Sequence, residues 1–178
     1  MPDTTRAIFT IGHSTRAIDD FIALLNAHGV EQLIDIRTAP RSRTNPQFNR
    51  DTLPGSLKGA GIGYAHMPSL GGLRHPKADS VNTAWRNEGF RGYADYMQTP
   101  EFEKALGELM EAAAQKQTAI MCAEAVPWRC HRSLVADALT ARGMAVEHIM
   151  SAERRQPHKL TPFVRIEGTR VWYPGLSA

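Results

Sequence analysis

Cysteine is scarce in this chain, with two among 178 residues, Cys122 and Cys130. Two thiols cannot build the framework of a small disulfide-stapled domain. Long apolar runs are missing as well. None approaches the ~20 residues that a membrane-spanning helix needs, so no membrane partner is expected. The opening residues, MPDTTRAIFTIGHS, lack the cationic stretch and long apolar core of a secretory leader. There is no internal repeat, no low-complexity tract and no linker clean enough to divide the chain. These absences point to a cytoplasmic protein with free thiols, folded as a single domain over residues 1–178.

Net charge is small too, at +3, but it is unevenly spread. Residues 37–77 hold seven basic side chains (Arg37, Arg41, Arg43, Arg50, Lys58, Arg74 and Lys77) and one acid, Asp51. That segment is therefore +6 and the rest of the chain −3. Such asymmetry points to an anionic partner, with a solvated basic loop as the alternative.

Five stretches read as strands: AIFTIG (7–12), EQLIDIR (31–37), GIGYAHM (61–67), TAIMC (118–122) and MAVEHIM (144–150). IDDFIALLNAHG (18–29) sets Ile18, Phe21, Ile22 and Leu25 on one helical face and stops at Gly29. A second helix begins at Thr99-Pro100, with the proline at the first helical position. Its apolar stripe is Phe102, Ala105, Leu106, Leu109, Met110 and Ala113. A third helix is expected from Pro127 to about Arg142, stopped by Gly143. Residues 38 to about 61, and 68–92, read as loops. The tail FVRIEGTRVWYP (163–174) reads as a small hairpin turning near Glu167-Gly168. This order predicts a three-layer α/β fold with a mainly parallel sheet of about five strands, helices on both faces and a small C-terminal hairpin. Ligands of such sheets bind beyond the carboxyl ends of the strands. Those positions hold Gly12-His13-Ser14, Asp35 and Arg37, His66, and Cys122 with Glu124.

The stretch AIMCAEAVPWRCHRSLVADAL (119–139) carries the most chemistry. Cys122 ends a strand, and a helix N-terminus follows within a few residues. The unpaired N–H groups and dipole of a helix start bind anions and lower a nearby thiol's pKa. Helical phase makes Leu134, Val135, Ala138 and Leu139 the buried stripe, with His131 near its centre. Arg129 falls on the opposite side, facing water, and Arg132 on a flank, where it is the better anion ligand. Cys130 is expected to be structural, although a reversible Cys122–Cys130 disulfide is open to it if the geometry allows. The spacing is not that of the cysteine phosphatases, which place five residues between cysteine and arginine. Here six residues separate Cys122 from Arg129 and nine separate it from Arg132. Pro127 also removes an N–H that a phosphate cradle would use.

The blocks TIGHST (10–15), LIDIRTAPRSR (33–43), PSLGG (68–72), GFRGYADYM (89–97), MCAE (121–124), CHRSLVADAL (130–139) and LTPFVRI (160–166) together resemble family 488 of the domains of unknown function. Seven blocks in order cover nearly the whole chain. The resemblance implies a compact α/β domain and brings no activity, substrate or cofactor with it. The positions it marks as a site are His13, Ser14, Asp35, Arg37, Cys122, Glu124, Cys130, His131 and Arg132.

Three functions fit these residues. The first is a small enzyme acting on an anionic small molecule or a nucleotide. Cys122 would be its nucleophile or redox thiol, with Glu124, His13 or His131 beside it as acid or base. Ser14, Asp35, Arg37, Arg41, Arg43 and Arg132 would bind the substrate, the arginines holding the anion. The second is a metal-dependent enzyme with ligands drawn from His13, Asp35, Cys122, Glu124 and His131. No local ligand spacing supports it, and no cofactor is indicated. The third is nucleic-acid binding by the basic 37–77 segment, where Phe48, Tyr64 and His66 stand among the basic residues, with Trp85 and Phe90 just beyond. Asn45-Pro46-Gln47-Phe48 and Leu70-Gly71-Gly72 would be lids over the crevice.

Overall fold

Five apolar segments become parallel strands: β1 (Ile8–Gly12), β2 (Gln32–Asp35), β3 (Gly63–His66), β4 (Thr118–Cys122) and β5 (Val146–Ser151). In the computed structural model, which describes residues 6–175, they lie in the order β3-β2-β4-β1-β5. A sixth strand, β6 (Arg154–Pro157), joins β5 antiparallel. The two central strands, β1 and β4, are buried along their whole length. That is why their sequences are continuous apolar runs rather than alternating ones.

Successive side chains on each strand point to opposite faces, and they sort into two cores. Ile8, Ile34 and Ile120 face one, while Phe9, Leu33 and Met121 face the other. Helices α3 (Glu88–Tyr96), α4 (Pro100–Gln115) and α5 (Arg132–Ala141) cover the first face through Tyr93, Leu106, Leu109, Leu134 and Leu139. Helices α1 (Ile18–Ala27) and α2 (Leu53–Gly59) cover the second through Phe21, Leu24, Leu25, Leu53 and Leu57. A hairpin of β7 (Arg165–Glu167) and β8 (Arg170–Trp172) turns at Gly168, which takes the left-handed φ of 62°. The three-layer α/β class with its small hairpin is therefore the observed one. Among the described residues no helix is long and apolar enough to cross a membrane.

Three local expectations differ from the structure. Helix α2 forms inside a segment that read as a loop, and α3 begins in another. LPGSLKG is a poor helix former on propensity, but Leu53 and Leu57 lie one turn apart and both are fully buried, so packing overrides propensity. In α3 the Asn87 side chain accepts the N–H of Phe90 at 3.1 Å, a regular cap. The helix expected from Pro127 is broken. Pro127–Arg129 makes one 3₁₀ turn, Cys130 is extended, and α5 starts only at Arg132. The sixth strand, RRQP, carries no apolar alternation and gives no hydropathy signal.

Topology places the crevice. β1 and β4 are neighbours, but the helices that follow them lie on opposite faces, α1 on one and α5 on the other. Their exit loops diverge, which opens the sheet's carboxyl edge between them.

Away from that edge, a buried chain of hydrogen bonds ties the C-terminal segment to the sheet. Thr10 Oγ1 lies 2.6 Å from His148 Nδ1, His148 Nε2 lies 2.9 Å from His158 Nδ1, and His158 Nε2 lies 2.7 Å from Asp137 Oδ1. Asp137 Oδ2 also accepts from Thr161 Oγ1 and Tyr173 Oη, each at 2.7 Å. Every contact is satisfied when both imidazoles are neutral, each with its proton on Nε2. Burial, then the neighbouring His158 and Arg132, pushes His148 down to about 3.

The unfolded chain takes up that proton near 6.5, whereas the folded chain does so only near 3. The stability contributed by His148 is therefore complete above pH 6.5 and lost as pH falls through this window. One such histidine gives a slope of up to about 1.4 kcal/mol per pH unit. Urea melts from about pH 7 to about pH 5 should show stability falling with acidification. His148→Gln should be less stable at neutral pH and have a shallower slope.

Candidate active site

The loops leaving β1 and β4 are bound to each other. His13 N–H donates to Cys122 O at 3.0 Å and Ser14 N–H to Ala123 O at 2.9 Å, so pairing continues past the strand ends. Gly12 permits this. A Cβ there would sit 1.9 Å from the Glu124 carbonyl oxygen. Ser14 turns the chain with a left-handed φ of 51°. It contributes backbone here and does not cap α1, whose N-cap is Ala17 with no side-chain bond.

Asp35 and Arg37 form a bidentate pair, with Nε to Oδ1 at 2.9 Å and Nη2 to Oδ2 at 2.7 Å. Asp35 is fully buried. Tyr64 Oη donates to it at 2.6 Å, and the Arg37 backbone N–H at 3.1 Å. Arg37 Nη2 also donates to Phe48 O, and Nη1 to His13 Nε2 at 3.3 Å. Four of its five N–H groups are thereby engaged, leaving one on Nη1 for the cleft. His13 Nδ1–H donates to Ser14 O at 2.7 Å, and its ring stacks on Phe48 at 4.3 Å. Burial, reinforced by the Arg37 charge, lowers its pKa, so His13 is a neutral ring held from both ends. Phe48 is fully buried, and Gln47 donates to Arg16 O at 2.8 Å. The 45–48 segment is an anchored wall in this structure rather than a loose lid. Leu70-Gly71-Gly72 is anchored likewise, with Tyr93 Oη bonded to Leu70 O and no room for a Cβ at Gly72 against the His131 ring.

Cys122 and Cys130 are free thiols whose sulfurs approach to 2.6 Å. Arg132 Nη1 lies 3.3 Å from Cys122 Sγ and donates to Glu124 O at 3.0 Å, while Nη2 donates to Ala125 O at 3.0 Å. Arg132 is 1% exposed. Among the described residues it has no carboxylate partner within salt-bridge reach, so the Cys122 thiol is its nearest acid. Burial opposes ionisation of Cys122, but the Cys130 thiol donating to it and the Arg132 charge outweigh this and bring it from 9.0 down to about 7. Cys130, the donor in that contact, is pushed well up. His131 Nε2–H donates to Ile36 O at 3.1 Å, which leaves Nδ1 facing Cys130 Sγ at 3.5 Å. Burial lowers His131 to about 4.

These groups surround a cleft of about 640 Å³. His13, Arg37, Arg41, Cys122, Glu124 and His131 line it. Asp35 and Arg132 lie behind that wall, and Ser14 and Arg43 are outside the lining. Arg129, the residue that phase turned toward water, is exposed and on the cleft wall. The buried Cys130 also lines the cleft, with Ser42, Asn45, Asn87 and Phe90. Phe90 was marked in the sequence only as an aromatic beside the basic segment, and no local signal marked Asn87, because the helix it caps begins in a Gly- and Asn-punctuated segment. The five candidate metal ligands do not converge. Among the described residues no three of His, Cys, Asp and Glu are placed to share one ion. The basic segment is also less free than its charge suggests. Arg37 is paired, and Arg74 lies 3.6 Å over the Tyr96 ring with Nε bonded to Gly71 O.

Residues 17–139 match the family model of the domain of unknown function DUF488. The chain belongs to this family. No curated protein and no solved structure matches it significantly. The DUF488 region runs from just before α1 to near the end of α5, and so includes Asp35, Arg37, both cysteines and Arg132. His13 precedes it.

Close approach at Gly12 is a requirement of this cleft, because the atom in the way is backbone. Gly12→Ala should cost about 1–3 kcal/mol in a urea melt and should slow alkylation of Cys122, by displacing the 123–125 loop.

Proposed function

We propose that the protein is a small enzyme that acts on an anionic small molecule or a nucleotide through the thiolate of Cys122. The observation that carries this reading is the buried Arg132 guanidinium, which has no carboxylate partner among the described residues and lies 3.3 Å from Cys122 Sγ. A thiolate beside a fixed positive charge is the reactive form of cysteine. Arg41 and Arg129 on the rim, with the remaining Nη1 hydrogen of Arg37, offer an anion three approaches within one cleft. Glu124, exposed on the same wall, is the group suited to proton transfer with solvent. His13 and Asp35 are positioning residues for Arg37, and His131 is one for Cys130. Arg132 acts on the nucleophile rather than on the anion. Ser14 and Arg43 take no direct part. Nucleic-acid binding is the weaker reading, since two of the seven basic side chains in 37–77 are committed to intramolecular contacts.

Alkylation of Cys122 by iodoacetamide, followed site by site by mass spectrometry, tests this. The rate should rise through a midpoint at about pH 7. Arg132→Gln should move that midpoint up by about 1–2 units, while Arg132→Lys should retain much of the depression. Inorganic phosphate or a nucleoside monophosphate should slow the reaction, and Arg41→Ala with Arg129→Ala should abolish that protection. A Cys122 inert until the protein unfolds would end the proposal.

A further inference from the structure

We propose that Cys122 and Cys130 are a two-cysteine redox centre, in which Cys122 reduces a hydroperoxide and Cys130 closes the product to an intramolecular disulfide. This rests on the reading of Cys122 as the reacting thiolate and adds the electrophile and the second thiol.

The geometry points to the pair rather than to either cysteine alone. The sulfurs are 2.6 Å apart while both are free thiols, so each already stands within the other's reach, close to the ~2.0 Å of a disulfide bond. Cys130 is set up by the break in the helix. Its extended backbone aims the side chain at Cys122, and the Arg132 backbone N–H approaches its sulfur at 3.5 Å. Both thiols line the cleft yet are only 2% and 7% exposed. Such openings admit a small oxidant and exclude another protein's thiol.

The steps balance. The Cys122 thiolate attacks the outer oxygen of a hydroperoxide. The O–O bond breaks, an S–O bond forms, and alkoxide or hydroxide leaves to take a proton from solvent. Arg132, 3.3 Å from Cys122 Sγ, faces the negative charge as it passes from sulfur to the departing oxygen. Cys122 is then a sulfenic acid. Cys130 sulfur attacks Cys122 sulfur, the S–O bond breaks, and the hydroxide released combines with the Cys130 proton as water. His131 Nδ1, at 3.5 Å, is placed to pass that proton on. A dithiol reductant restores both thiols and is itself oxidised to a disulfide.

The test treats the full-length reduced protein with hydrogen peroxide in the presence of dimedone, alongside Cys130→Ser and Cys122→Ser, and adds an iodoacetamide rate for each. The wild type is expected to lose two hydrogens by intact mass, give a 122–130 cross-linked peptide, take up little dimedone and return to the dithiol with dithiothreitol. Cys130→Ser should trap dimedone at Cys122 several-fold more strongly, and Cys122→Ser should not react. Persistent sulfenic or sulfinic acid at Cys122 in the wild type, with no cross-link and a fast iodoacetamide rate, would overturn this inference and leave the thiolate reading standing. A Cys122 slow toward both reagents would overturn both.

Discussion

The guanidinium of Arg132 is almost fully withdrawn from water, and the loop after β4 is arranged around it. An ion taken out of water costs several kcal/mol unless its donors are met. Two backbone carbonyls, of Glu124 and Ala125, meet them in part. Nε has no partner. Charge compensation falls to Cys122, so its ionisation and the burial of Arg132 favour each other. Arg132 is the first residue of α5, so its side chain ties the start of that helix to the end of β4 and the loop that follows.

A second buried arginine does the opposite job. Arg37 is paired with Asp35, two more of its donors fix Phe48 O and His13, and one Nη1 hydrogen is left to the cleft. The two arginines sit on either side of the same cleft with different consequences. One is paired and braces His13, whose neutrality comes first from burial, while the other leaves its charge to act on a thiol. Between them the exit loops of β1 and β4 are held at backbone contact, which the missing side chain of Gly12 permits. The cleft is thus a product of close approach: Gly12 against Glu124, and Gly72 against His131. Its walls are stapled by hydrogen bonds from Gln47 and Tyr93, so the site is largely pre-formed.

Much of this was legible in the residues. The two cores follow from continuous apolar runs on β1 and β4 and from amphipathic stripes on α1 and α4. The edge positions His13, Asp35, Arg37, Cys122 and Glu124 follow from strand ends alone. Helices α2 and α3 were not legible, because their stability comes from Leu53, Leu57 and Tyr93 finding a core rather than from propensity. Phase misjudged the start of α5 because it assumed an unbroken helix through Cys130, whereas Cys130 is extended and the helix starts only at Arg132.

The sequence by itself determined the fold class, the strand ends that carry polar groups and the presence of a cysteine ahead of a helix. These are local properties, set by side-chain periodicity and by where apolar runs stop. Only the tertiary structure decided which arginine meets which acid, that Cys130 stands against Cys122, and that Arg129 rather than Arg132 reaches the cleft. Those outcomes depend on distances between segments far apart in the chain, set by strand order and by which face each crossover helix takes.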